Sequence, residues 1–144
     1  MTHPSIRSED DVDGVSALLS SRLYEFNEAA TGHRDGRRLA FTVRDDDGDL
    51  LAGLVGWTWG GCGYVDVLWV AEDLRGQGLG DRLLAAAEAS AREVGCDRMV
   101  LATHSFQAPA FYQARGYRVV GAVDGYPRGH SQLHLVKLLD RPAG

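Results

Sequence analysis

The sequence predicts an α+β fold, one mixed sheet with helices on both faces, and three observations carry that expectation. Strand-like segments at 39–44, 50–59 and 64–70 follow one another across turns rich in glycine and aspartate, as in an antiparallel meander. The third runs through a turn holding three glycines into an alanine- and leucine-rich helical pattern over 79–94, after which 98–103 reads as another strand. Ahead of these, Val12, Val15, Leu18, Leu19, Leu23 and Phe26 recur at helical spacing. At 144 residues the chain is expected to form one domain, residues 1–144, with a core that needs no disulfide or metal.

In chain order, residues 3–8 around Ile6 form a short candidate first strand, and Ser8 with Asp11 makes a weak capping box. The amphipathic helix extends through about Tyr24, its first turns weakened by Gly14. Residues 27–38 are polar and read as a loop or a broken second helix. The run from Leu39 alternates with strand period, residues 45–49 make a turn, and 50–59 returns to complete a hairpin. A second turn, 60–63, leads to the strand at 64–70. In the helix at 79–94 the buried side is expected to hold Leu79, Leu83, Ala86 or Ala87, Ala91 and Val94, and Gly95 stands where a helix ends. A short helix at 107–115, stopped by Gly116, and strands at 117–123 and 132–139 close the chain. The strand–helix–strand unit over 64–103 places the glycine turn at the carboxyl end of its first strand, the edge where ligands bind in such sheets.

Composition narrows the function. Net charge −5 argues against a nucleic-acid partner, which would call for a basic face. It suits a cationic acceptor, though mild acidity also serves solubility alone. No apolar run is long enough to span a membrane, and the first ten residues lack the apolar core of a signal peptide, so no membrane partner and a cytoplasmic location are expected. Cys62 and Cys96 make no C-x-x-C pair and read as structural thiols. His130 and His134 are spaced so that they could share a strand face, but nothing nearby completes a metal set, so no metal site is expected.

The stretch from Val67 to Gly80 is built like an anion site. Residues without a Cβ let the backbone approach a phosphate, and the first amides of a helix point at it with the positive end of the helix dipole. Arg75 adds a full charge at the rim. Asp81-Arg82 after Gly80 rules out a Walker loop, and Gly76-x-Gly78-x-Gly80 misses the dinucleotide spacing. The stretch resembles the acetyl-CoA loop of the GNAT superfamily of N-acetyltransferases, Arg/Gln-x-x-Gly-x-Gly/Ala, with Arg75, Gly78 and Gly80 at its defined positions. Ala108-x-x-Phe111-Tyr112-x-x-x-Gly116-Tyr117 resembles the later segment of the same family.

That resemblance implies a seven-stranded GNAT-like sheet whose two central parallel strands splay apart to admit the pantetheine arm of acetyl-CoA. It implies that amides of Gly76, Gln77, Gly78, Leu79 and Gly80 grip the pyrophosphate with Arg75 at the rim. It also implies that the edge at Leu68, Trp69 and Val70 bonds the pantetheine amides and the acetyl carbonyl, with Ala108 near the cofactor. Tyr112 matches the tyrosine beside the thiol and would act as the acid. Ser105 replaces an asparagine frequent in the family, which leaves that contact with the cofactor in question.

Acetyl transfer to an amine needs a neutral nitrogen, and deprotonating an alkylamine of pKa ~10 at pH 7 costs about 4 kcal/mol. Two residues are candidates for the base. Asp66 interrupts an apolar strand, where a carboxylate needs a reason to be, and some family members carry one near this place. His104 ends the next strand and brings an imidazole, the side chain suited to neutral pH. The acceptor pocket implied by the resemblance draws on residues 24–38, 50–59 and 124–131, with Trp57, Trp59, Trp69 and Tyr126 as aromatic candidates and Glu25, Glu28 and Asp124 as anionic ones.

The implied activity is acetyl-CoA-dependent N-acetylation of a small-molecule primary amine by direct attack in a ternary complex. Acetylation of a protein lysine or N-terminus, and an acyl-CoA-binding sensor with little turnover, are the alternatives. Edge-strand pairing is common in such folds, so a homodimer is an open expectation.

Overall fold

The computed structural model describes residues 3–140, which divide into two compact units on either side of Arg34 and Asp35. The first unit holds one helix, α1 (Val12–Thr31). Asp11 is its N-cap and accepts the Gly14 amide at 3.0 Å, and a Cβ at position 14 would run into that carboxylate, so Gly14 makes room for the cap. The capping pair expected at Ser8 is therefore replaced by Asp11 and Gly14. The helix continues past Tyr24 through residues 25–31, where Ala29 and Ala30 favour it, and stops at Gly32 with φ 77°. Residues 3–9 form no strand. Ile6 is the one large apolar side chain there and is fully exposed, so nothing anchors an edge.

The second unit contains β1 (Arg37–Arg44), β2 (Leu50–Trp59), β3 (Cys62–Val70), α2 (Leu79–Glu93), β4 (Arg98–His104), α3 (Pro109–Gln113), β5 (Arg118–Asp124) and β6 (Ser131–Leu138). They form a mixed sheet in the order β1-β2-β3-β4-β6-β5, in which only β3 and β4 run parallel. The sheet has six strands among the described residues rather than seven, the missing one being the segment at 3–8.

Helix α2 supplies the main packing. Leu83, Leu84, Ala87 and Ala91 bury against Ala52, Leu54, Val65, Met99, Leu101 and Leu135. The buried stripe includes Leu84 and Glu88, while Val94 is exposed, because the helix ends at Glu93 and Gly95 takes φ 85°. Gly63 lets the strand approach that core closely, since a Cβ there would meet the Met99 sulfur and the Ala91 methyl.

Two irregularities shape the functional end of the sheet. The β2–β3 register slips between Val55 and Gly56, so Val55 faces Val67, Gly56 faces Val65, and Asp66 is the extra residue of a bulge. A Cβ on Gly56 would strike the Tyr64 carbonyl, which is why glycine stands opposite the bulge. The parallel β3–β4 pairing ends at Val65–Leu101, and Asp66–Val70 have no partner on that edge. The sheet is splayed where the sequence resemblance implied.

Candidate functional site

The splay opens a cleft of about 1050 Å³ between the free half of β3, the β3–α2 turn, the end of β4 and α3. Tyr112, His104 and Asp66 all border it, as do Leu68, Trp69, Val70, Arg75, Gly76, Gly78, Leu79, Gly80 and Ala108. Gln77 and Ser105 do not. The Ser105 Oγ instead accepts the Ser131 amide at 3.0 Å, tying the end of β4 to β6. Trp57 lies on the outer face of the sheet beside a smaller depression shared with Asp66, stacked on Tyr64 at 4.4 Å. Glu25 is exposed on α1, in the first unit.

The turn before α2 separates the roles of its glycines. Gly76 and Gly78 take φ 82° and 83°, a conformation that L side chains resist, and a Cβ on either would meet no protein atom within 4 Å. Gly80 has ordinary backbone angles, but a Cβ there would come 3.2 Å from the Phe111 ring, so this glycine is small to let α3 pack down. The first bond of α2 runs from the Arg82 amide to the Gly78 carbonyl at 3.1 Å, and no side chain caps the helix. The amides of Leu79, Gly80 and Asp81 thus have no acceptor within the helix. Arg75 folds back, its Nε donating to the Val70 carbonyl at 3.1 Å, which fixes the turn to the strand end.

Tyr112 is buried by its neighbours, edge-on to Phe111 at 5.1 Å and to Tyr117 at 5.8 Å. Its hydroxyl makes no hydrogen bond to another described residue, and Tyr112 borders the cleft. Burial raises its pKa, keeping the phenol protonated at neutral pH. Beneath it, Tyr117 donates to Glu88 Oε2 at 3.0 Å and Lys137 donates to Glu88 Oε1 at 2.6 Å, a polar network inside the core. Burial, and then the Glu88 charge, hold the Tyr117 phenol well above its usual range.

His104 is oriented by the loop between β5 and β6. Its Nδ1 lies 3.1 Å from the Tyr126 carbonyl. A carbonyl only accepts, so Nδ1 carries the hydrogen, and in the neutral ring Nε2 keeps its lone pair. Phe106 stacks on His104 at 5.5 Å and Tyr126 meets it edge-on at 5.1 Å. Tyr126 therefore supports the imidazole with ring and carbonyl and does not itself border the cleft. Asp66, at the bulge, is exposed rather than buried in an apolar strand, so the unpartnered burial that would demand an explanation does not arise.

Several residues at this site carry no motif. Gln107 borders the cleft, and its Oε1 accepts from the His104 amide at 2.7 Å and from Thr103 Oγ1 at 3.2 Å. Glu88 is the buried carboxylate of an alanine-rich helix, and its spacing from Leu84 and Ala91 marks it as part of the buried stripe. Cys62 sits at the far end of β3 outside the cleft, and burial raises the pKa of both thiols, leaving neither as an activated nucleophile.

The cleft thus joins a free strand edge, a glycine turn at a helix start and a buried tyrosine. The sequence pattern of the Acetyltransferase (GNAT) family matches residues 4–117. The chain belongs to the GNAT family of acetyltransferases. The blasticidin-S acetyltransferase of Streptomyces morookaense is 49% identical over 96 residues, 64% of this chain and 68% of its own. An acetyltransferase of Agrobacterium fabrum is 38% identical over 115 residues, 80% of this chain and 84% of its own. The crystal structure of an acetyltransferase from Bacillus cereus superposes with TM-score 0.78 at 30% identity, covering 94% of this chain and 98% of that one. As a GNAT protein, the chain is an acetyltransferase, and no helix among its described residues is long and apolar enough to cross a membrane.

Proposed function

We propose that this GNAT acetyltransferase moves the acetyl group of acetyl-CoA to a primary amine of a small molecule by direct attack, both substrates being bound together, and that residues 1–144 act as one N-acetyltransferase domain. The observation that carries the reading is the cleft itself. One opening joins the unpaired edge of β3, the positive-φ glycines 76 and 78, the Tyr112 hydroxyl and the His104 ring.

The residues present fit the acyl donor of this family. Gly76 and Gly78 leave open space where side chains would stand, and the amides of Leu79, Gly80 and Asp81 with the helix dipole suit a diphosphate. The edge at Leu68–Val70 has no strand partner on the β4 side and, apart from the Val70 carbonyl that Arg75 engages, offers its outward backbone groups to an extended amide-bearing arm. When bound, acetyl-CoA supplies the thioester carbonyl that the amine attacks.

The chain's own groups then handle two protons. His104 Nε2 takes the proton lost by the amine as the C–N bond forms. The Tyr112 hydroxyl gives its proton to the sulfur as the C–S bond breaks. Of the two candidate bases, His104 has the better support, because the Tyr126 carbonyl presets its tautomer. Asp66 supplies negative charge at the rim, suited to drawing in an ammonium ion. Tight positioning of both reactants contributes the larger part of the acceleration.

A small-molecule acceptor is favoured by the 49% identical relative, which is named for blasticidin S. The test is release of free CoA thiol from acetyl-CoA with a panel of amines: blasticidin S, aminoglycosides, polyamines, amino acids and peptides. Turnover of a small amine, lost by about a hundredfold in Tyr112→Phe with CoA binding unchanged, supports the proposal. Turnover confined to peptides would overturn the acceptor class, and CoA binding without turnover of any amine would make the protein a sensor.

A further inference from the structure

The cradle includes a charge that opposes its ligand. Asp81 is the third residue of α2, so its carboxylate stands at the first turn beside the amides that would hold a diphosphate. A negative charge there favours the empty helix, but it repels an anion at the same amides. The fold answers with Arg115, which follows α3. Its Nε donates to Asp81 Oδ1 at 2.7 Å. Its Nη1 donates to the Phe111 carbonyl at 2.9 Å, and its guanidinium carbon lies 3.9 Å from the Phe111 ring centroid. That ring in turn packs on Gly80, and the next residue is Tyr112. One cation thereby connects the first turn of α2 to the segment carrying the tyrosine, and both charges border the cleft.

We propose that Arg115 is a positioning residue for the acyl donor: by neutralising Asp81 it makes the start of α2 receptive to a diphosphate, and by holding Phe111 against Gly80 it sets the place of Tyr112. This rests on the reading of residues 75–80 as the diphosphate cradle. In this role Arg115 acts through Asp81 and Phe111, which its Nε and Nη1 engage, and recovery of affinity on removing Asp81 separates it from direct phosphate binding.

Calorimetric titration with CoA, backed by melting curves, tests it in the whole protein. Arg115→Gln should weaken CoA about tenfold, the effect of one uncompensated charge several ångströms from a dianion in a partly screened site. Adding Asp81→Asn to that variant should bring affinity back to within about twofold of wild type, because the repelling charge has gone with its partner. Arg115→Lys should keep most of the affinity, and Asp81→Asn alone should bind as well as wild type or better. A double variant as weak as Arg115→Gln, or an Arg115→Gln variant equal to wild type, overturns the proposal. Should Arg115→Gln not fold, weaker binding by Asp81→Asn alone overturns it. Wild-type protein that fails to bind CoA would overturn the cradle itself, a result distinct from either.

Discussion

Glu88→Gln tests the buried network in a way that can be worked through in numbers. The substitution keeps the shape of the side chain and removes its charge. The Glu88 side chain is 7% exposed and that of Lys137 22%, and their 2.6 Å contact is accompanied by the Tyr117 hydroxyl at 3.0 Å. Breaking a fully buried ion pair by removing one partner costs about 3–5 kcal/mol. Lys137 retains some access to water, which discounts the loss to about 2–3 kcal/mol. For a chain of this size each kcal/mol is worth about 2–4 °C, so the melting temperature should fall by roughly 7 °C. A second change, Lys137→Met, removes the stranded ammonium, and the Glu88→Gln/Lys137→Met variant should recover at least half of the loss. Urea unfolding of wild type and the two variants at neutral pH measures this. A Glu88→Gln variant within about 0.5 kcal/mol of wild type, or a double variant less stable than the single one, would refute the idea that an uncompensated lysine is what the fold cannot hold.

Other outcomes follow from single features. Thr58 Oγ1 is buried without a hydrogen-bond partner among the described residues, so Thr58→Val should stabilise the protein by about 1 kcal/mol in urea unfolding. The Tyr117 phenol is raised in the fold, so its contribution is complete below the unfolded value near pH 10 and is lost as pH rises above it. Stability should fall by up to about 1.4 kcal/mol per pH unit in that range, less steeply in Tyr117→Phe, as followed by unfolding at pH 9 and 10.5. His104→Asn keeps a donor for the Tyr126 carbonyl but offers no basic nitrogen, and should reduce kcat about a hundredfold with CoA affinity unchanged. Gly56→Ala forces a methyl onto the Tyr64 carbonyl and should cost more than about 3 kcal/mol, read as loss of soluble protein or an early melt.

What the sequence made legible was local in origin. The strand, glycine turn and helix at 64–94 are encoded by neighbours within a few residues, and the cleft formed around them. Helix α1 outran its expected end because the apolar pattern stops at Phe26 while good helix formers such as Ala29 and Ala30 continue the helix, with the stop deferred to Gly32. The bulge at Asp66 was not readable from its own strand, since the cause is the glycine facing it on β2. The inserted residue leaves exposed a carboxylate that, read as part of an uninterrupted apolar strand, seemed to need a reason to be there. Arg115 and Asp81 are 34 positions apart, and only the folded chain joins them. Their signals were an acid in a helix's first turn and a cation directly before Gly116, each common enough alone to pass unremarked.

The residue inserted in β3 does more than bend a strand. An extended backbone addresses its two margins from alternate residues, so an insertion exchanges which peptide groups look which way beyond that point. From 67 to 70 the order of donors and acceptors along the free edge of β3 is therefore set together with position 56 on the facing strand. A homologue that kept every glycine of the loop but carried a side chain at that facing position would lose the room for the inserted residue, and the edge beyond it would turn the opposite polarity to any extended chain laid along it.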